Sequence, residues 1–356
     1  MTVERFVYSS QPSRVIFGSG SVSRLLEEIQ RLDGKRALFL CTPGQRLLAD
    51  EMMALVRGRA VGVFDKAVMH VPVDVAQQAR QYALELSADC IVAVGGGSTL
   101  GLAKAIALDS SLPILAIPTT YSGSEMTPVY GLTENALKRT GKDSRVLPKT
   151  VIYDPQLTLN LSVKTSVTSG LNAIAHAAEG LYAQDGNPVM SLLAEEGIRA
   201  LAKGLSAVVQ DCHNVAARSD CLYGAWLCGT VLGSVGMALH HKLCHTLGGS
   251  LNLPHAPTHA IILPHSIAYN EAAVSGLGIR ISRALGVNHV TGGQALYDLA
   301  QKLGAPLALR DLGVSEADLD RVVDIALQNP YWNPRPIERV PLQELLCNAL
   351  DGHRPG

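Results

Sequence analysis

Charged and aromatic residues are both scarce in this sequence of 356 residues. Asp, Glu, Lys and Arg make up 17% of the chain, the net charge is −1, and aromatic side chains account for 4%. Nucleic-acid recognition normally needs a basic patch, and base stacking needs clustered aromatic rings. We therefore expect no nucleic-acid partner. The 47% of hydrophobic residues argues against disorder and is ample for a large core.

The seven cysteines form no CxxC pair, and their number is odd. This usage is typical of reduced thiols rather than of a disulfide framework. No stretch reaches the roughly 18 uninterrupted apolar residues of a membrane span. Residues 1–5 lead into a polar stretch, not into the apolar core of a signal peptide. We predict a cytoplasmic protein with no membrane partner.

The hydrophobic pattern changes near residue 158, and the chain is long enough for about two domains. In residues 1–158, short apolar runs alternate with helical patterns, as in a mostly parallel sheet with helices on both faces. The runs predict strands at Arg36–Cys41, Ala60–Phe64, Cys90–Val94, Pro113–Ile117 and Thr150–Tyr153. In residues 159–356 helical patterns dominate, one of them unbroken over 216–245. We predict a Rossmann-like α/β N-terminal domain and an all-α C-terminal domain.

Two polar turns follow successive predicted strands of the first domain. The earlier turn is Gly95-Gly96-Gly97-Ser98, which leads into a helical pattern. Glycines at a strand-to-helix turn let a phosphate approach the backbone, and the helix N-terminus attracts it. The later turn, residues 118–127, carries hydroxyl groups where open parallel sheets bind ligands. Each turn alone is equally compatible with an ordinary loop, but the pair favours a nucleotide site.

Six of the eleven histidines fall within 26 consecutive residues, 240–265. His241 and His245 are four residues apart in a helical pattern, as are Asn172 and His176, so each pair shares a helix face. His255 lies in a predicted loop between two prolines. Convergence of these side chains would make a transition-metal site, since imidazole suits Zn, Fe and Ni. Asn172, however, is neutral where a carboxylate would strengthen such a site.

The other histidines carry no spacing signal, and we interpret them as ordinary core or surface residues. They are His70, His213, His240, His259, His265, His289 and His353.

Nearly the whole chain resembles the iron-containing alcohol dehydrogenase superfamily, with its dehydroquinate-synthase-like fold. The likeness runs from residues 17–20 through the GGGS turn and the TTYSGSE loop to SGLNAIAH, HxxxH and LPH. The metal positions of that family match Asn172, His176, His241 and His255, and His245 matches a further active-site histidine. Asn172 stands in place of the family's metal-binding Asp, and Gly101 in place of the Asp in its GGGSxxDxxK pattern.

Both departures, with residues 169–183 and 329–335, resemble the maleylacetate reductase branch. That resemblance implies a homodimeric enzyme that needs no metal and uses NADH or NADPH. It implies reduction of the carbon–carbon double bond of maleylacetate to 3-oxoadipate, in aromatic compound degradation. We therefore expect a small dicarboxylate substrate and catalytic roles for His241, His245, His176, His255 and Asn172. A metal-dependent alcohol dehydrogenase, a dehydroquinate-synthase-type lyase and a non-catalytic dinucleotide sensor remain alternatives.

The resemblance also implies a set of residues that contact the cofactor. These are Gly95, Gly96, Gly97, Ser98, Thr119, Thr120, Ser122, Thr127, Lys142 and Thr42. The family often has an Asp in the Thr42-Pro43-Gly44 segment, which repels the 2′-phosphate of NADPH. Its absence predicts that NADPH is not strongly excluded. For the substrate carboxylates, Lys242, Lys164 and Arg335 are candidates by proximity to the motifs, and each is equally compatible with a solvated surface charge.

Overall fold

The computed structural model describes Phe6, Tyr8 and residues 13–134, 137–288 and 290–356. The chain forms two compact units, one of Gln11–Leu161 and another that contains Ser162–Gly356. The first unit is α/β and the second is helical. The predicted fold class is confirmed.

A six-stranded parallel sheet forms the centre of the α/β unit, as far as that unit is described. Its strands in chain order are β1 (Arg14–Phe17), β2 (Ala37–Leu40), β3 (Ala60–Phe64), β4 (Cys90–Gly95), β5 (Ile114–Pro118) and β8 (Thr150–Tyr153). They lie in the order β1-β8-β5-β4-β2-β3. β2, β4 and β5 are buried along their whole length, which explains why they read as continuous apolar runs. Adjacent parallel strands bring their carboxyl ends to one edge.

Four α-helices and a hairpin complete the described part of this unit. The helices are α1 (Leu25–Arg31), α2 (Arg46–Ala54), α3 (Val73–Glu85) and α4 (Gly97–Ser110). The hairpin pairs β6 (Val129–Glu134) with β7 (Leu137–Lys142) in antiparallel register. A hydrophobic core of sheet and helix residues includes Leu25, Ile29, Phe39, Val92 and Ile117, all buried.

The helical unit is built around α5 (Val163–Gly180), in which every residue from 166 to 180 is buried. The remaining helices are α6 (Pro188–Gln210), α7 (Val215–Ser234), α8 (Leu239–Leu251), α9 (His255–Glu271), α10 (Leu277–Ala284), α11 (Gly292–Lys302), α12 (Glu316–Gln328) and α13 (Arg339–Asp351). α5 packs against α6, α7 and α9. A second hydrophobic core joins α8, α9, α12 and α13.

Two local expectations are wrong. The pattern over 216–245 predicts one helix, but the chain breaks between Ser234 and Leu239 and turns by 95°. His255 is not in a loop: it is the first residue of α9, which continues through Pro264. A proline in the first turn of a helix removes no intrahelical hydrogen bond, so Pro257 is compatible with a helix that begins at His255.

No single helix in the described residues is long and apolar enough to cross a membrane. The bent pair α7 and α8 passes the same test by length and composition together, and much of both helices is buried inside the helical unit.

Candidate active site

The glycine turn joins β4 directly to α4. Gly95 has φ +154°, and a Cβ there would lie 2.4 Å from Thr99 Oγ1, so this position requires glycine. Gly96 is the N-cap of α4 and provides no side-chain cap. The space beside Gly97 is open. The first backbone N–H groups of α4 have no partner within the helix, which suits binding of a phosphate group.

Gly101, on the next turn of α4, explains one departure from the family pattern. A Cβ at this position would lie 2.6 Å from Cγ2 of Val71. An aspartate here would collide with that side chain unless Val71 moved. Glycine at this position therefore lets Val71 pack closely against α4.

Thr42 and Thr119 lie at the carboxyl edge of the sheet, after β2 and β5. Gln45 links them: its Nε2 donates to Thr119 Oγ1 at 2.5 Å, and its Oε1 accepts from Thr42 Oγ1 at 3.3 Å. The structure thus brings both predicted residues to the glycine turn, because β2, β4 and β5 are neighbours. Gln45 has no counterpart among the sequence-based candidates, since a single Gln after a strand carries no distinctive pattern.

Lys104 anchors the loop that follows β5 through hydrogen bonds. Its ammonium group donates to the carbonyl oxygens of Ser124 and Val129 at 2.8 Å and to Thr127 Oγ1 at 2.9 Å. Lys104 is 1% exposed, and burial lowers its pKa to about 7. Thr127 is therefore buried as an anchor of the loop. Thr120 and Ser122 are half-buried on the same loop, and Lys142 is exposed at the end of β7.

Asn172 and His176 lie one turn apart on α5, and His241 lies in the first turn of α8. Asn172 Nδ2 is 3.3 Å from His176 Nε2, and His176 Nδ1 is 2.8 Å from His241 Nε2. All three side chains are at most 4% exposed. The structure therefore brings these predicted residues into one buried row.

Glu179 ends this row and is the carboxylate that sequence reasoning missed. Its Oε2 lies 2.6 Å from His241 Nδ1 and accepts the Ala238 N–H at 2.9 Å. Its Oε1 accepts the His240 N–H at 2.7 Å and lies 3.3 Å from the hydroxyl of Tyr182. The available sequence signal was a glutamate three residues after His176, which lies in the apolar stretch 173–178.

His240 and His259, interpreted from the sequence as ordinary core or surface residues, are core residues that also contact the cluster. Both are fully buried, with His240 Nε2 2.9 Å from His259 Nδ1 and His240 Nδ1 3.1 Å from Ser266 Oγ. Burial, and then repulsion from neighbouring histidines, lowers the pKa of each well below 6.5. Both are therefore neutral at pH 7.

His245 and His255 lie at the half-exposed side of the cluster. Their rings stack with centroids 6.5 Å apart, and His245 Nδ1 is 3.0 Å from the hydroxyl of Tyr331. Lys242 places its Nζ 5.8 Å from the centre of the Tyr331 ring. Burial raises the pKa of Tyr331, so its hydroxyl keeps its proton, and partial burial lowers the pKa of Lys242. This side offers hydrogen-bond donors and one cation.

The other two candidate cations are placed differently. Lys164 is exposed at the start of α5. Arg335 stacks 4.1 Å from the centre of the Tyr269 ring and donates to the Tyr269 carbonyl at 3.0 Å. Its guanidinium therefore already supports a loop. Of the other histidines, His213 and His353 are exposed, and His289 lies outside the described residues.

The four positions that match the family's iron ligands bring no carboxylate to the site. The Asn172 amide, rather than a carboxylate, faces Nε2 of His176, and the His255 ring lies 4.2 Å from that of His259. Within the described residues, one set of three ligand atoms lies within 4.8 Å of one another, and it belongs to His240, Cys244 and His259. Two of those atoms are already hydrogen bonded to each other. The residues present therefore do not fit the iron site of the family.

Family models match both units. The iron-containing alcohol dehydrogenase model matches residues 12–155, and the model of the C-terminal part of the Fe-containing alcohol dehydrogenase family matches 166–350. The chain belongs to the iron-containing alcohol dehydrogenase family. It is 56% identical to maleylacetate reductase of Burkholderia cepacia, over 98% of this chain and 99% of that protein.

Solved structures extend this similarity to the fold. Maleylacetate reductase from Agrobacterium tumefaciens superposes with a TM-score of 0.95 and 51% identity, over 99% of this chain and 100% of that one. A putative alcohol dehydrogenase from Ralstonia eutropha gives 0.98 and 62% over the same shares. The resemblance to the maleylacetate reductase branch is confirmed, and the chain is an oxidoreductase of this family.

Proposed function

We propose that this chain catalyses the NADH- or NADPH-dependent reduction of the carbon–carbon double bond of maleylacetate, giving 3-oxoadipate. The observation that carries the proposal is the similarity to maleylacetate reductases along nearly the whole chain. The site supports it chemically, because hydrogen-bonding side chains and a lysine line its half-exposed side.

The dinucleotide is proposed to bind the α/β unit at the carboxyl ends of β2, β4 and β5. Gly95, Gly96, Gly97 and Ser98 would hold the pyrophosphate at the N-terminus of α4. Thr119, Thr120 and Ser122 would lie around the nicotinamide half, with Thr42 near the adenosine ribose. Thr127 would contribute by fixing the loop, and Lys142 would approach from the hairpin. The bound cofactor supplies a hydride.

The substrate is a dianion whose double bond is conjugated to a ketone. Hydride addition at the carbon β to the ketone moves the electron pair onto the ketone oxygen, which becomes an enolate. Protonation of the enolate carbon then completes the reduction. Lys242 is proposed to pair with one carboxylate, and this pairing would offset the desolvation that lowers its pKa.

Hydrogen bonds are proposed to replace the metal that stabilises an oxyanion in other members of the family. Tyr331 and His245 are the best-placed donors, because both lie at the half-exposed side and bond to each other. A protonated imidazole at His245 would serve as the general acid for the enolate carbon. His241 is less suited to direct donation, since both of its ring nitrogens have side-chain partners.

Mixing the purified protein with maleylacetate and NADH tests the proposal. We expect NADH to be consumed in proportion to 3-oxoadipate formed, in protein whose metal content is below stoichiometric. Absence of NADH consumption at high enzyme concentration would refute the activity. Iron or zinc whose removal abolishes turnover would instead support the metal-dependent alcohol dehydrogenase alternative. The cytoplasmic location and the homodimer stay predictions, and light scattering tests the latter.

A further inference from the structure

The hydrogen bonds of Glu179 determine where its neighbours carry their protons. Four donors or donor-capable groups surround its two oxygens: the N–H groups of Ala238 and His240, the hydroxyl of Tyr182, and His241 Nδ1. A carboxylate offers about four lone-pair directions, so these contacts fill it as an acceptor. Because both oxygens act as acceptors in these contacts, the His241 proton lies on Nδ1.

The position of the His241 proton determines the tautomer of His176, the next histidine in the row. His241 Nε2 lies 2.8 Å from His176 Nδ1, so with the His241 proton on Nδ1 this contact places the His176 proton on Nδ1. His176 then has a bare Nε2, which faces the amide nitrogen of Asn172 at 3.3 Å. The amide N–H is a donor, so each of these three contacts pairs one donor with one acceptor. The row runs in one direction, from Asn172 to Glu179.

We infer that Glu179 is a positioning residue that fixes the tautomers and ring orientations of His241 and His176, with the Asn172 amide proton supplying the positive end that a metal provides elsewhere in the family. Partners of this kind set which ring nitrogen is protonated and how the ring is held. The inference that this matters for turnover rests on the proposed function. The tautomers themselves do not depend on it.

The chemical reason for Asn at position 172 follows. A carboxylate there would face the bare Nε2 of His176, and two acceptors repel unless a proton or cation lies between them. The amide removes that requirement. Asn172 Oδ1 is left buried without a partner among the described residues. Glu179 therefore remains the single carboxylate of the row, and it also caps the N-terminus of α8, where Ala238 has no capping side chain.

Nitrogen-15 NMR of histidine side chains in the wild-type enzyme tests the tautomers directly. We expect Nδ1 of both His176 and His241 to carry a proton at pH 7.5, with Nε2 of each ring acting as an acceptor. A proton on Nε2 of either ring, or a doubly protonated His241, overturns the inference. This measurement needs no substrate, so it remains decisive even if maleylacetate is not reduced.

Glu179→Gln tests the consequence for catalysis, and Glu271→Gln is its matched control. Glu271 caps α11 by accepting the N–H groups of Gly292 and Gly293, so its loss costs a helix cap without touching a histidine. We expect Glu179→Gln to lower kcat by about 10- to 100-fold with little change in KM for NADH, and to mix the tautomers of His241. Equal kinetics in the two variants overturns the catalytic role. If Glu179→Gln does not fold, the wild-type NMR result decides.

Discussion

The side-chain amide nitrogen of Asn172 lies 3.3 Å from Nε2 of His176, one turn further along α5. An amide N–H donates at this position, whereas a carboxylate only accepts and needs a cation or proton between itself and the imidazole. The difference between Asn and Asp therefore decides whether this point attracts positive charge.

Restoring the carboxylate should increase metal binding. We expect Asn172→Asp to bind Fe²⁺ or Zn²⁺ at least about tenfold more tightly than the wild type, because a charged oxygen ligand then faces His176. Equilibrium dialysis with metal analysis measures this. Asn172→Ala is the control, since it removes the amide without adding charge. Equal affinities in the two variants would contradict the prediction.

The Tyr331 hydroxyl should be required for the chemical step. We expect Tyr331→Phe to lower kcat by about 10²- to 10³-fold, the usual cost of one oxyanion-stabilising donor. Steady-state kinetics with maleylacetate and NADH measures it. Tyr297→Phe is the control, because that hydroxyl bonds to the Gly352 carbonyl elsewhere in the helical unit. A Tyr331→Phe enzyme as active as the control would exclude Tyr331 as the donor.

Periodicity and spacing predicted much of this fold and part of the site. The strands Ala60–Phe64 and Thr150–Tyr153 have their predicted bounds, because each is an apolar run between breaking residues. The four-residue spacings of Asn172 with His176 and of His241 with His245 correctly placed each pair on one helix. Such signals are local, so they can be interpreted from the sequence without knowledge of the tertiary structure.

The remaining features depend on contacts between distant segments. The break before Leu239 is stabilised by Glu179, which lies about 60 residues earlier and satisfies the N–H groups of Ala238 and His240. His240 and His259 join the cluster because α8 and α9 pack together. Tyr331 reaches His245 across 86 residues of chain. No pattern within one helix indicates these pairings.

The choice between NADH and NADPH should respond to charge after β2. Pro43 is exposed at the start of this turn, and no acidic residue occupies the Thr42-Pro43-Gly44 segment. We expect Pro43→Asp to raise KM for NADPH about tenfold while leaving KM for NADH nearly unchanged, because the carboxylate repels a 2′-phosphate. Pro43→Asn controls for loss of the proline. An overwhelming wild-type preference for NADH would refute the underlying interpretation.

Acid should destabilise the helical unit through its buried histidines, and His265 on α9 is the clearest case. It is 4% exposed, its Nε2 has no partner among the described residues, and burial lowers its pKa to about 4. The unfolded chain, with a histidine pKa near 6.5, binds the proton first as pH falls. The contribution of neutral His265 to the free energy of unfolding is therefore complete above about pH 6.5 and decreases as the pH falls toward 4.

Urea unfolding of wild type, His265→Gln and His213→Gln at pH 7.5 and pH 5 separates this contribution. The His265 shift alone should cost the wild type about 2 kcal/mol of unfolding free energy between these pH values. We expect His265→Gln to show a pH dependence smaller by that amount, whatever its stability at pH 7.5. His213 is exposed, so His213→Gln should retain the wild-type dependence. An unchanged pH dependence in His265→Gln would show that this imidazole is protonated in the folded protein at pH 5.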